Sequence, residues 1–343
     1  KLKFKKSFSD RIKLSFGGDY FITTFNEEYN PNVGNRTLLG YNSTIAAVFT
    51  EADIFFSKKL AAKVGFRVSN NSLLDETAIA PRISLAYKVA KSSQFSLAYG
   101  DFTQTPKSDY IKYSKFYQFE SEKAAHYILN YQYNKNGKTL IAEAYYKDYS
   151  NLVKYDTPSV QYNSTFNNNG SGYAKGVDLF WRDGTTFKNL EYWISYSYID
   201  SERDYKNFPV QATPSFIASN SLSVVTKYWI SDWKSQIGFT NSFSTGRPYN
   251  NPNETQFMND KTKSYNNLSF NWAYLLSAQK ILYFSVSNVL GTQNIYDYDY
   301  AKNPDSDGDY NRAAITPTAD SFFFVGFFWT ISNDKKDNQL RNL

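Results

Sequence analysis

Apolar and polar residues alternate along most of this chain. Ile79, Ile83, Leu85, Tyr87 and Val89 fall on one parity, and Arg82, Ser84, Ala86 and Lys88 on the other. Phe95, Leu97 and Tyr99 oppose Gln94, Ser96, Ala98 and Gly100. The pattern recurs in Leu190–Tyr198, Ser221–Tyr228, Gln236–Phe243 and Val325–Ser332. Strand side chains point to opposite faces with period two, so each stretch predicts a strand with one apolar face. About fifteen such stretches can be counted, each near the roughly 9–11 residues that cross a tilted bilayer. No stretch of comparable length keeps a helical 3.6 repeat. The chain reads as all-β.

The connections alternate too. Short ones fall at 7–10, 57–59, 90–93, 135–138, 183–188, 231–233 and 277–280. Longer ones fall at 26–40, 69–76, 103–120, 154–170, 200–219, 247–263 and 291–320. Alternation of short turns with long loops is how an up-and-down membrane barrel is wired, with turns periplasmic and loops extracellular. The fold expected is a transmembrane antiparallel up-and-down β-barrel of about fifteen strands over residues 1–332, followed by a polar periplasmic tail, 333–343. A propeller would repeat a motif every ~40–50 residues, and none is found. A sandwich hides its apolar face in one dry core and seldom carries an aromatic at nearly every outward position.

Composition sharpens this reading. Aromatics make up 19% of the 343 residues, with 30 Tyr and 28 Phe, yet the mean hydropathy is −0.55. A soluble domain would have to bury those rings, whereas a membrane barrel sets them against lipid and at its two interfaces. The net charge of +6 and pI near 9.0 would suit nucleic acid or an anionic membrane surface. Lys and Arg are scattered, however, with no dense basic run before Lys335 and Lys336. A single-strand nucleic-acid binder is therefore the weaker reading, and nucleic acid is not expected as a partner. The absence of cysteine excludes disulfides and thiolate metal sites. No apolar run of ~18 residues exists to form a membrane helix. The start, Lys1-Leu2-Lys3-Phe4, lacks the apolar core of a signal peptide. An exported chain that begins this way has been processed or belongs to something longer.

Several phrases, in order, resemble the C-terminal part of a TonB-dependent outer-membrane receptor of the type common in Bacteroidetes. They are Pro81-Arg82-Ile83-Ser84-Leu85-Ala86-Tyr87, then Ser96-Leu97-Ala98-Tyr99-Gly100 with Gln104-Thr105-Pro106, and Glu122-Lys123-Ala124-Ala125-His126-Tyr127. Glu143-Ala144-Tyr145-Tyr146-Lys147, Gly172-Tyr173-Ala174-Lys175-Gly176-Val177-Asp178-Leu179-Phe180, Ser244-Thr245-Gly246-Arg247-Pro248-Tyr249 and Ser287-Asn288-Val289-Leu290-Gly291 complete the set. The resemblance implies a 22-stranded barrel closed by an N-terminal plug, of which this chain would be the C-terminal two-thirds. It implies active uptake of a nutrient (glycan, peptide or metal chelate) without covalent chemistry. The implied partners are outer-membrane lipid and lipopolysaccharide, the chain's own plug domain and through it TonB, and a surface lipoprotein. A structural subunit of an outer-membrane complex and a passive porin are the alternatives. A polar tail after the last strand departs from the family, whose barrels often finish on an aromatic.

Candidate chemistry is sparse. Arg67, Arg82, Glu143, Asp178, Arg182, Glu191 and Lys227 share the polar parity of their strands and are expected to face inward. There they would touch plug or solute, or form an ion-paired wall. Tyr296, Tyr298 and Tyr300 recur at period two beside Asp297 and Asp299, which suits a flat sugar or peptide ligand, or else an aromatic girdle or loop packing. Asp305, Asp307 and Asp309 around Gly308 match the first half of a calcium loop, but the closing Glu is missing. Structural Ca²⁺ and an exposed acidic turn both stay open, and no other cofactor is expected. His126, the single histidine, has no second His or Cys to share a metal. No nucleophile–base arrangement stands out, so the chain is not read as an enzyme.

Overall fold

A computed structural model describes residues 1–29, 36–114 and 118–331. The strands are β1 (Leu2–Ser7), β2 (Ile12–Tyr29), β3 (Thr37–Phe55), β4 (Leu60–Asn71), β5 (Glu76–Ala90), β6 (Ser93–Gln104), β7 (Glu122–Lys135) and β8 (Lys138–Tyr155). They continue with β9 (Phe166–Asp183), β10 (Leu190–Asp204), β11 (Asn220–Ile230), β12 (Ser235–Ser244), β13 (Pro248–Tyr249), β14 (Asp260–Lys261) and β15 (Tyr265–Ser277). The last are β16 (Lys280–Ser287), β17 (Asp297–Tyr300), β18 (Arg312–Ile315) and β19 (Phe322–Trp329); one short helix, α1 (Ser108–Ile111), follows β6. Fifteen strands form one antiparallel sheet in chain order, and the pairs β13–β14 and β17–β18 are separate loop hairpins. The expected all-β, antiparallel, up-and-down architecture is what the structure shows. The tail 333–343 lies outside the described residues.

Two compact units can be described. The first comprises Lys1–Tyr131, Glu143–Lys175 and Ser201–Thr213, and the second the rest of the described chain. In the first, β2 pairs with β3 from Ile12↔Ile54 to Tyr29↔Thr37 without a slip. The apolar parity is left uncovered: Ile22 is 69% exposed, Ile79 65% and Leu97 55%, whereas Ser15 and Asp19 on the other parity are buried. A row of rings and branched chains this long exceeds what a soluble monomer leaves to water. It is the surface that hydrocarbon covers.

The second unit repeats the scheme from β10 through β11, β12, β15 and β16 to β19. In β19 the alternation gives way to aromatics on both faces. Gly326 pairs with Tyr283, whose ring packs between Phe324 at 6.1 Å and Phe328 at 6.2 Å. The rings of Phe324 and Phe328, on the same strand to either side, take up the space the glycine leaves.

Turn chemistry fixes the short connections. Asn136 and Gly137 both have positive φ, +51° and +72°, the pair a two-residue hairpin of matching twist needs. The expected long connection at 69–76 is instead a four-residue turn, because β4 runs on to Asn71 and β5 starts at Glu76. β2, β3, β8 and β9 reach 18 or 19 residues, well beyond bilayer length. Beyond the bilayer the first unit builds a small core of Leu74, Tyr110, Phe119, Val153 and Phe166. Phe119 meets Phe166 edge-on at 5.3 Å.

An apolar parity that meets lipid makes a measurable demand. In the intact protein refolded into vesicles, Leu97→Arg is expected to lower folding free energy by ~2–4 kcal/mol, the penalty for a cation on the lipid face near mid-bilayer. Ser96→Arg, on the other parity, should shift it by no more than ~0.5 kcal/mol. Equal costs for the two would show that the faces are misassigned.

Candidate functional site

On the polar face of the first unit the charges are organised by cross-strand register. Arg67 of β4 donates to Asp19 of β2 at 2.6 Å, and the Asp19 carboxylate is almost wholly buried. Lys63 bridges Glu51 at 3.0 Å and Asp53 at 3.2 Å. Glu143 accepts from Asn130 at 3.2 Å. Arg82 is held differently. Its neighbours in register are Gly65 on β4 and Gly100 on β6, so no side chain crowds it from either side. Its guanidinium lies 4.5 Å over the ring of Phe102, which in turn packs at a tilt against His126 at 4.5 Å. These groups line a cavity of about 190 Å³.

On the polar face of the second unit, Asp178 accepts from Ser197, Arg182 donates to Glu191 at 2.6 Å, and Lys227 sits 5.6 Å over Trp193. Two serine rows cross β10, β11 and β12 in register: Ser197, Ser221 and Ser244, then Ser195, Ser223 and Ser242. They floor a cavity of about 610 Å³ with Asp178, Phe180, Arg247, Tyr265 and Tyr296 around it. Tyr296 stacks on Tyr265 at 6.4 Å.

The other two predicted tyrosines take the loop-packing alternative. Tyr298 and Tyr300 pack against the buried Tyr249, at 5.0 and 6.4 Å. Arg312 lies 4.6 Å over Tyr298 and donates to the Tyr249 hydroxyl at 3.0 Å. That hydroxyl donates to Asp260 at 2.5 Å, and Asn251 donates to the same carboxylate oxygen at 3.1 Å. Asn253 and Tyr310 exchange two further hydrogen bonds. The hairpins β13–β14 and β17–β18 are thereby clasped together. Burial and Asp260 push the Tyr249 hydroxyl well above the usual phenol range, while Tyr249 holds the Asp260 carboxyl below the ordinary carboxylate range. In the acidic turn Asp305 accepts backbone N–H bonds from Asp307 and Asp309, each at 3.0 Å, and a bond from the Asn311 side-chain amide at 3.3 Å. Among the described residues no group of three or more His, Cys, Asp or Glu converges as a metal site.

The sequence reading missed Tyr249, Asp260, Arg312 and Phe102, and it missed a basic cluster of Lys107, Arg203 and Lys206. The period-two count through Ser195 and Ser197 extends to Ser201, Arg203 and Tyr205, which would have put Arg203 on the polar face. Taking residues 200–219 as a loop hid it.

The sequence model of a family described as TonB dependent receptor-like, β-barrel, matches residues 2–289. The chain belongs to that receptor family. Solved structures agree on the fold of this receptor barrel. The ferric enterobactin receptor PfeA of Pseudomonas aeruginosa, in complex with enterobactin, superposes with a TM-score of 0.74 at 12% identity, over 95% of this chain and 53% of that one. The FrpB iron transporter of Neisseria meningitidis gives 0.73 at 12% identity, over 95% and 54%. The outer membrane transporter YddB of Escherichia coli gives 0.70 at 12% identity, over 95% and 52%. The chain thus spans about half the length of these structures. A comparison with curated proteins gave no match.

In a receptor barrel the polar face is the inward one, and the clasped hairpins belong to its loops. Because the Asp260 carboxyl is depressed, the clasp keeps its contribution above about pH 4 and loses it as acidification protonates the group. Hydrogen exchange should show the Thr262 and Arg247 amides protected at neutral pH, less so near pH 3, and less so at neutral pH in Asp260→Asn. Unchanged protection in Asp260→Asn would mean that the clasp does not depend on this carboxylate.

Proposed function

We propose that this chain is the barrel part of a TonB-dependent outer-membrane receptor of the Bacteroidetes type that takes up a nutrient actively, without covalent chemistry. Residues 1–332 form the C-terminal two-thirds of a larger barrel, and 333–343 a periplasmic tail. An odd count of fifteen sheet strands among the described residues supports this, since bacterial single-chain barrels close with an even number. The short turns lie in the periplasm and the long loops outside. The inward charges meet a plug that TonB pulls on, lipid and lipopolysaccharide surround the outer face, and a surface lipoprotein meets the loops. Calcium at Asp305, Asp307 and Asp309 enters this reading as a ligand-driven rearrangement of that turn. The solved neighbours' printed names, ferric enterobactin receptor and iron transporter, associate this architecture with iron and its chelates.

The observation that carries the reading is the family match over residues 2–289. A polar, ion-paired wall by itself would suit an open pore equally well. Reconstituted in planar bilayers, the intact protein is expected to pass almost no current, and removal of its N-terminal region should open a large steady conductance. Large constitutive currents through the intact protein would instead identify a passive porin. A closed protein whose contribution to growth is indifferent to loss of TonB would identify a structural subunit.

A further inference from the structure

The basic cluster in the first unit has the features of a binding site. Arg203 lies on the polar face of β10, beyond the buried Ser201. The adjacent position on β9 is Gly172, and a Cβ there would come within 2.9 Å of the Arg203 backbone and side chain. The glycine lets the arginine lie flat across β9, its guanidinium 4.5 Å over Tyr149 and 5.7 Å over Tyr205. Lys206 is pinned by two backbone hydrogen bonds, its N–H to Val153 at 2.7 Å and its carbonyl from Tyr155 at 2.9 Å. Its φ of +54° is one at which glycine or asparagine would sit with less strain, so the backbone alone gives no reason for a lysine. Its ammonium rests 5.0 Å over Tyr205. Lys107, just before α1, lies within Coulombic reach of both Lys206 and Glu122.

Lys107 and Arg203 thus share one carboxylate within Coulombic reach, Glu122, which already accepts the Val153 N–H at 3.2 Å, and both also act on the Lys206 ammonium. Neighbouring acids are engaged elsewhere, Asp204 with Lys154 and Glu202 with Gln211. Burial, then Lys107, then Arg203 push the Lys206 ammonium below the usual lysine range. Such an assembly repels itself, and a bound anion would relieve it. Because Glu122, Tyr149 and Arg203 share the polar face, a lipid headgroup on the outer face cannot reach them.

We propose that Arg203 and Lys206, set on Tyr149 and Tyr205, together with Lys107 beside Glu122, bind an oxyanion of the solute entering the receptor: a phosphate, sulfate or carboxylate group. This rests on the uptake reading above and names the substrate class as anionic. Isothermal titration calorimetry of the intact protein in detergent micelles, with inorganic pyrophosphate as probe, tests it. Saturable binding is expected that weakens at least tenfold in R203Q/K206Q and strengthens severalfold in E122Q. K58Q/K59Q, which removes two exposed charges from a short turn, should bind like the wild type. Heat-modified electrophoretic mobility checks that each variant is folded. The proposal is overturned if the wild type shows no saturable heat, if R203Q/K206Q binds as tightly as it does, or if K58Q/K59Q weakens binding equally. Calorimetry needs neither TonB nor a proton gradient, so loss of energised uptake leaves this result standing. Uptake without pyrophosphate binding would sink the anion site alone.

Discussion

Inside hydrocarbon a strand has no water to bond, so every backbone N–H and C=O that crosses must find its partner on a neighbouring strand. Much else in this protein follows from that. Registers such as β2–β3 run for 18 residue pairs without a slip because a slip would exchange the lipid and polar faces of a whole strand. Side chains are released from making one dry core, and buried apolar residues are correspondingly few for a chain of 343. The rings that a water-soluble fold would hide are the surface here.

The same constraint sorts the charges. An ion cannot sit on the apolar parity without a large penalty, so Arg, Lys, Asp and Glu gather on the other one, where register brings them together. Arg67 and Lys63 meet acids and are neutralised by them. Arg82 meets glycines on both sides and rests on Phe102. A guanidinium supported by a ring keeps its outward N–H donors available, whereas one locked to a buried carboxylate does not. Two arginines of one wall thus have different capacities, decided by which residues stand opposite them.

How much of this could be read from the sequence depends on what enforces the pattern. Within the bilayer, lipid enforces period two, and the parities of Ile79–Val89 or Leu190–Tyr198 are plain in the sequence. Beyond the bilayer that pressure stops. The strands continue as hairpins held by cross-strand pairs, and for that reason Ser69–Glu76 reads as a loop although half of it is strand. Tyr298 and Tyr300 are legible as a strand, but their partner Tyr249 is about fifty residues away and only the tertiary fold delivers it. The acidic turn was ambiguous for a physical reason. An Asp two residues before a backbone N–H makes an Asx turn with the same spacing that begins a calcium loop.

The two loop assemblies rest on different physics, and that sets how each can respond. In the first unit Leu74, Tyr110, Phe119, Val153 and Phe166 exclude water by apolar contact, which neither acid nor moderate salt weakens. In the second unit Tyr249, Asp260 and Arg312 hold the hairpins through a charge-assisted network in which each group fixes the next. Losing one member there leaves a buried Tyr249 hydroxyl short of a partner, so the network loosens as a unit. An apolar core gives a steady platform, and a polar clasp gives a joint that a competing hydrogen-bonding solute can open. If loops must move to admit a solute, the chemistry favours movement at the Tyr249 clasp over movement at the Phe119–Phe166 core.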